Sequence, residues 1–588
     1  MKKITFFSII LGSLSLFSAS FANNITTNVD HKQDQIELNN KQYSKTLIAE
    51  LKDNLNNNQI QELKIKLFNL IEKNNINSTF KFSDILNIIF INLTDHKNNY
   101  LIYNFLNENE MIEFYFEENN KFIENNINQI NKLPVRIERS YYQKYFDVNN
   151  FNKDDRYKLI DKFKNSKNKI KVGILEVRNH IDSQNQTYFN KNIYNTKIIN
   201  KYKGTETKHG TRVASIIAGL DGVNPNVELY SSVYKKTENY WTELEDLLKE
   251  KVNIINMSFG EKNPKDYNFA YNYSAWLLDR YAKKYPEVIF VVSAGNDNTY
   301  LNGFKLANNI IVVGANDINK NKAYYSSYNA KTGKQVTLLA QRTFEDNNYE
   351  IFNGTSFSAP FISGILSYTL QAYKDKYDLG KNNIIALSTL SASTLSNNKN
   401  NETIGFNGVG IFDYDKLDQA FKNLIYYKRY WHEPMPKNYS KLLTTFSVKK
   451  GETIRGALSW ETTPEITENF KKYNAKTVDN LVGVKKRIRR LRGPVVHSVT
   501  ENYNIKNNSM KIINNPEEYI NVTNDFDLEL YDSENKLVFS SNSTTHNVEF
   551  IKYTAEKDGN YTFRYVNKYT NYKHNDIAFT YTIERKNI

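Results

Sequence analysis

Cysteine is absent from all 588 residues. That excludes a disulfide scaffold, a thiol nucleophile, a thiolate metal site and a lipid anchor on cysteine, so resistance to unfolding must come from core size or bound ions. Proline (10) and glycine (22) are also scarce. Asn, Lys, Ile and Tyr dominate instead, the imprint of AT-rich coding rather than of a function. The formal charge of +14 accompanies that bias and reads as a solvated basic surface. No stacking-aromatic and basic motif goes with it, so no nucleic-acid partner is expected. After the N-terminus no run is long and apolar enough for the ~20 residues of a membrane span. What remains is ordinary globular composition, 40% hydrophobic and 24% charged, with length for about three or four domains of ~150 residues.

The first residues carry an address. Lys2-Lys3 precedes an apolar run from Ile4 to Phe17 and the small-residue stretch Ser18-Ala19-Ser20-Phe21-Ala22, which reads as a signal peptide cut after Ala22. Residues 23–165 are Asn- and Lys-rich with helical spacing. Ile60, Leu63, Leu67, Leu70 and Ile71 share a face, and Ser83 is placed to cap a helix from Ile85 to Leu93. An all-helical domain is expected there, either a removable prodomain or a retained accessory domain. From 166 to 428 short apolar strands alternate with helical patterns: Ile170–Leu175, Val252–Met257, Val288–Val292 and Ile310–Gly314, with helices at Tyr240–Lys249 and Ala275–Lys284. That predicts an α/β domain whose parallel sheet is flanked by helices, with its chemistry at the carboxyl ends of the strands. Residues 429–588 change to alternating strands with turn signals such as Lys557-Asp558-Gly559-Asn560, the pattern of an antiparallel β-sandwich. A basic run, Lys485 to Arg492, reads as a solvated loop.

Three small-residue contexts carry candidate chemistry. Ser356, in Asn353-Gly354-Thr355-Ser356-Phe357-Ser358-Ala359-Pro360, precedes the apolar segment Phe361–Leu366. A serine at such a helix start lies near unpaired N–H groups and the positive end of the helix dipole, which suits a nucleophile that generates an oxyanion. Serine is a poor nucleophile without a base. His209, before Gly210-Thr211 and an apolar helix, is one of only eight histidines and is the candidate base. Asn296, after Ser293-Ala294-Gly295 and a buried strand, is the candidate oxyanion donor.

Together with Asn256-Met257-Ser258-Phe259-Gly260, these motifs make residues 168–425 resemble the subtilisin-like serine proteases. The resemblance implies a secreted endopeptidase with Ser356 as nucleophile, His209 as general base and Asn296 as side-chain oxyanion donor. Ser258-Phe259-Gly260 and Ser293-Ala294-Gly295 would be the two walls of the pocket for the side chain before the scissile bond. It implies peptide or protein substrates and no cofactor for the chemistry. One motif departs from the family, whose orienting acid is an Asp ending the first strand. Here Val172-Gly173-Ile174-Leu175-Glu176 stands there, making Glu176 the third member of a Ser-His-Glu variant, with Asp182 the nearby rival. Arg212 and Ser215 also replace the residues usual on the His helix. The C-terminal part resembles the sandwich appended to many bacterial secreted subtilases, where Asp525, Asp527 and Asp532 are candidate calcium ligands. The competing class is a binding protein on an inactive scaffold of this fold.

Overall fold

The computed structural model describes residues 45–585 apart from 94–97, 119–121, 125–148, 195, 235–239, 262–270, 329–335, 342, 346–350, 396–400, 406, 429–435, 463–464, 467–519, 522–523, 545 and 571–575. The expected signal peptide (1–22) and the basic run (485–492) lie outside the described residues.

The N-terminal part is not all-helical. It runs β1 (Lys45–Leu51), α1 (Asn57–Lys73), β2 (Ser78–Phe82), β3 (Ile88–Leu93), α2 (Asn99–Glu108), β4 (Ile112–Glu118), with an antiparallel sheet ordered β2-β3-β1-β4. This is a βαββαβ unit. The helical face read from the sequence is α1, which buries Leu63, Leu67 and Ile71. Its start is a capping box, with Gln59 N–H on Asn56 Oδ1 at 3.0 Å and Asn56 N–H on Gln59 Oε1 at 2.9 Å. The second expected helix is instead β3. Ser83 Oγ does accept from Leu86 N–H at 2.8 Å, but it closes only a turn. A short unbroken apolar run suits helix and strand equally, and Ile88–Leu93 is buried at every position because both faces of the sheet are covered. Ile89, Ile91 and Leu93 pack with Leu63, Leu67 and Ile102. Ile88 and Phe90 enter the core of the next domain beside Trp241 and Tyr281.

A three-residue strand, β5 (Phe122–Glu124), follows, and then α3 (Lys153–Phe163). The boundary expected at 165 does not separate two bodies. Phe151 is fully buried in the core of the α/β domain. Asn149 is held between the carbonyl of Phe412 (2.8 Å) and the N–H of Gln341 (2.9 Å). Arg156 donates to the carbonyls of Gly222 and Leu220. Residues 149–163 therefore belong to the α/β domain.

That domain contains β6 (Lys171–Val177), β7 (Lys197–Asn200), α4 (Lys208–Ala218), β8 (Glu228–Tyr234), α5 (Tyr240–Lys249), β9 (Ile254–Met257), β10 (Phe259–Glu261), α6 (Tyr273–Lys284), β11 (Ile289–Ser293), β12 (Ile311–Asn316), β13 (Leu338–Gln341), α7 (Thr355–Ala372) and α8 (Asn382–Ala392). The order β7-β8-β6-β9-β11-β12-β13 is parallel throughout. Successive side chains of a strand point to opposite faces. Val172 and Ile174 pack with Val213 of α4 and Ile362 of α7; Leu175 and Val177 pack with Leu244 of α5 and Leu278 of α6. The same alternation sends Glu176 toward the face that carries α4.

The C-terminal strands form the expected sandwich. One sheet is ordered Ile425–Tyr427, Ile577–Glu584, Thr453–Trp460, Val548–Thr554; the other is Ser440–Val448, Gly559–Thr570, Asn524–Tyr531, Leu537–Ser541. The first sheet also lies against α8, where Ser459 Oγ donates to the Ile384 carbonyl (2.6 Å) and Ser388 Oγ to the Ala457 carbonyl (2.9 Å). Burial and the neighbouring charge of Asp527 push the Asp525 carboxyl up to about 6. Asp527 instead pairs with Lys568 at 3.1 Å, and Asp532 accepts the N–H groups of Glu534 and Lys536 in a turn. No group of three or more His, Asp or Glu that could hold a metal occurs among the described residues.

Candidate active site

Glu176 is the penultimate residue of β6, the strand between β8 and β9, and is fully buried. Its Oε2 lies 2.9 Å from His209 Nδ1, with His209 itself only 4% exposed. His209 is the second residue of α4, and its backbone N–H donates to Asn179 Oδ1 at 3.1 Å. Asn179 is fixed in turn, because its Nδ2 donates to the Val177 carbonyl at 3.1 Å. The strand that carries Glu176 thus also supplies the anchor for the helix that carries His209. Asp182 takes no part. Its carboxylate accepts the N–H of Gln184 at 3.1 Å and its own N–H goes to Thr211 Oγ1 at 2.9 Å.

Ser356 is the second residue of α7, preceded by Gly354 at φ 146°, a backbone angle that disfavours any side chain. Ser356 Oγ donates to the Ser258 carbonyl at 3.1 Å, and Ser258 Oγ donates to the Ser356 carbonyl at 2.8 Å. Asn256 Nδ2 orients the Ser258 hydroxyl at 2.9 Å. These reciprocal bonds clamp the start of α7 to the link between β9 and β10. Phe357, the next residue, lies against the His209 ring with centroids 5.6 Å apart. Arg212 extends this packing, its guanidinium 4.6 Å from the Phe352 ring, which contacts Phe357 at 4.7 Å. Ser215 Oγ returns to the Arg212 carbonyl at 2.8 Å, so both departures on this helix have local structural partners.

Asn296 follows β11 and its amide orientation is determined by Thr355. Thr355 N–H and Thr355 Oγ1 both donate to Asn296 Oδ1, at 3.0 and 2.9 Å, while Thr355 Oγ1 accepts from Gly295 N–H at 3.1 Å. With the carbonyl end committed to α7, the NH₂ end faces the other way, an arrangement suited to an oxyanion. Sequence reasoning singled out Ser356 and left Thr355 without a role. Asn179 was missed as well, since one Asn among so many carries no signal.

The two expected pocket walls stand side by side, because β9 and β11 are paired in the sheet. Beyond them β10 carries a partner not foreseen from the sequence. β5 pairs with it antiparallel, Phe259 opposite Glu124, Gly260 opposite Ile123 and Glu261 opposite Phe122. A segment N-terminal to the α/β domain therefore lies along the wall as an added strand.

A serine at a helix start, a buried histidine–carboxylate pair and an amide held with its donor end turned away from that helix thus stand together at the carboxyl edge of a parallel α/β sheet. The subtilase-family model matches residues 47–407, and the chain belongs to that family. It is 31% identical over 185 residues to subtilisin DY of Bacillus licheniformis, covering 28% of this chain and 64% of that protein. It is 31% identical over 180 residues to alkaline elastase YaB of Bacillus sp. (strain YaB), covering 28% and 45%. The chain thus spans less than two thirds of the length of these curated relatives. Among solved structures it is similar to the prenylagaramide maturation protease PagA, with 20% identity and a TM-score of 0.37 over 45% of this chain and 98% of that one.

Proposed function

We propose that this chain is an exported serine endopeptidase that cuts peptide bonds through an acyl-enzyme, with Ser356, His209 and Glu176 as its triad. The observation that carries the reading is the buried 2.9 Å contact between His209 Nδ1 and Glu176 Oε2. It commits Nδ1 and leaves Nε2 as the ring nitrogen for proton exchange with Ser356. Attack requires the hydroxyl to swing from the Ser258 carbonyl toward Nε2. As Oγ bonds the peptide carbonyl carbon, Nε2 takes its proton and the C=O electron pair moves onto oxygen. Asn296 Nδ2 and the Ser356 N–H donate to that oxyanion, the side-chain donor alone being worth on the order of 10²–10³ in turnover, the scale known from subtilisin. Collapse expels the amine, which leaves with the proton from Nε2. Water repeats the sequence on the acyl-enzyme. A substrate would lie as an added strand along β10, the place β5 takes. Export rests on the sequence pattern of residues 1–22.

A fluorophosphonate probe tests the enzyme reading. Covalent labelling of Ser356 in mature protein is expected, and a folded, mature chain that does not label would leave the binding-protein alternative.

The N-terminal unit acts, in this reading, as a prodomain that fills the cleft until self-cleavage. Support comes from β5 on β10 and from the polar pairs that accompany the apolar contact of Ile88 and Phe90. Arg280 donates to both Glu50 oxygens at 2.7 and 2.8 Å. Trp241 Nε1 and Ser274 Oγ both donate to Glu118 Oε1. Ser83 Oγ donates to Glu245, and Lys249 pairs with Asp84 at 2.6 Å. The contact is thus mixed, apolar at Ile88 and Phe90 and polar around them, so a cut domain that leaves does not expose a purely apolar face. N-terminal sequencing of the mature protein is expected to give a start between 125 and 148, after β5 and before the core residue Phe151. A start near 23 would make the unit a retained domain, and a start beyond 165 would contradict the structural role of residues 149–163.

A further inference from the structure

Helix α4, which carries His209, is not capped by the residue at its own start. Thr207 stands there with φ −131° and ψ −22°, outside the extended range from which a capping side chain reaches forward, and it makes no side-chain bond to the helix. The His209 N–H, one of the four that a helix start leaves unpaired, is taken instead by Asn179 Oδ1 at 3.1 Å. Asn179 comes 30 residues earlier, just past the strand of Glu176, and is 1% exposed. Its place is fixed from two sides. Arg178 takes φ 60°, a left-handed turn uncommon for a residue with a side chain. Asn179 N–H closes that turn on the Val177 carbonyl at 2.8 Å, and its Nδ2 donates to the same carbonyl at 3.1 Å. The chain entering α4 is bonded to the same turn: Glu206 N–H donates to the Arg178 carbonyl at 3.1 Å, and His180 N–H to the Glu206 carbonyl at 3.0 Å. Both approaches are close. A Cβ built on Gly204 would stand 1.9 Å from the Arg178 carbonyl oxygen, and one on Gly210, next to His209, 3.0 Å from the Asn179 carbonyl oxygen.

The end of the acid's strand and the start of the base's helix are thus locked into one joint. We propose that Asn179 is a positioning residue for the reaction: by capping the helix of His209 from the strand of Glu176, it sets the gap between the two side chains. This deepens the peptidase reading and rests on it. A glutamate has one more rotatable bond than an aspartate, so its backbone constrains the carboxylate less, and the ring must be held from the helix side. With Asn179 cut back, the start of α4 is free to shift and the Glu176–His209 contact lengthens. The walls on β9 and β11 that receive substrate are not part of the joint. The loss therefore falls on the chemical step and not on binding, and an offset of about 1 Å at a catalytic group costs on the order of 10² in rate.

The test joins steady-state kinetics on mature protein with proton NMR. The low-field resonance of the His209 Nδ1 proton, assigned through Glu176→Gln, reads the gap directly. Asn179→Ala is expected to lower kcat about 10–10²-fold with KM within about twofold, and to move that resonance upfield. Asn179→Asp keeps an acceptor of the same shape for the His209 N–H and should hold kcat within about fivefold of wild type. Loss of a merely structural cap would lower Tm and leave kcat and the resonance where they were. A folded Asn179→Ala with kcat within about threefold of wild type, or with the resonance unmoved, therefore overturns the inference. Should Asn179→Ala not fold, Gly210→Ala decides, since its methyl presses on the same joint from the helix side. A fall in kcat with an upfield shift is again expected, and no change in either overturns the inference. A wild type that neither labels at Ser356 nor cleaves peptide fails the peptidase reading, and the resonance still decides whether Asn179 sets the gap.

Discussion

Glu176→Gln is expected to lower kcat by about 10⁴, the scale found when the orienting acid of other Ser-His-Asp enzymes is neutralised. The reason lies in the proton balance of His209. In the proposed mechanism Nε2 takes the Ser356 proton, and the ring becomes a cation in a site where the imidazole is 4% exposed and its carboxylate partner fully buried. Little water is present to stabilise that charge, so the carboxylate 2.9 Å from Nδ1 must do it. A neutral amide cannot, and its NH₂ end also favours the tautomer with the proton on the wrong nitrogen. Glu176→Asp keeps the charge but withdraws it by about 1.5 Å, one C–C bond. A smaller loss is expected, roughly 10–10²-fold, as charge at a longer distance is weaker but still present. Asp182→Asn should change kcat by less than about twofold, because that carboxylate only closes the turn at Gln184. Steady-state kinetics on the three mature variants checks all of this. Activity of Glu176→Gln within tenfold of wild type would remove Glu176 from the mechanism.

The same site shows what a sequence can and cannot disclose. Ser356, His209 and Asn296 were legible because each sits in a small-residue motif at the end of an apolar element, and such junctions between strand and helix are where a parallel sheet exposes side chains. Glu176 was read from the resemblance alone; the structure adds that it shares with Val172 and Ile174 the face of β6 that carries α4. Thr355 and Asn179 were not legible, because their roles are hydrogen bonds to residues 59 and 30 positions away, which no local pattern encodes. The misreading of residues 85–93 has a comparable cause. Strand alternation is visible only when one face meets water, and β3 has both faces covered, by its own helices and by the neighbouring domain. The cap at Ser83 was real but served a turn.

Strand Thr453–Trp460 repeats that lesson in the sandwich and leads to the second large effect. It is buried at seven consecutive positions, Ile454 to Trp460. Ile454 and Leu458 face the other sheet of the sandwich, while Ala457 belongs, with Val548, Phe550 and Ala578, to the same core as Ile384, Leu387 and Phe421 of the α/β domain. α8 is thus a shared layer between the two domains, a continuation of one core rather than a contact between two finished surfaces. Polar bonds cross the layer as well: Thr582 Oγ1 donates to the Ala392 carbonyl at 2.8 Å, and Lys381 pairs with Glu461 at 2.9 Å and Asp576 at 3.4 Å. A chain so joined should not melt in separate steps. Phe550, 1% exposed, lies in the sandwich and is remote in sequence from every triad residue. Phe550→Ala is expected to cost about 3–5 kcal/mol and, spread over one transition of both domains, to lower Tm by roughly 3–6 °C. Peptidase activity and the near-ultraviolet circular dichroism of the whole chain should disappear together in that single transition. Truncation after residue 428 should go further and yield insoluble protein, since it bares the apolar side of α8. If the Phe550→Ala sandwich melts first while activity persists to the wild-type temperature, the sandwich is an independent appendage and the shared-core account fails.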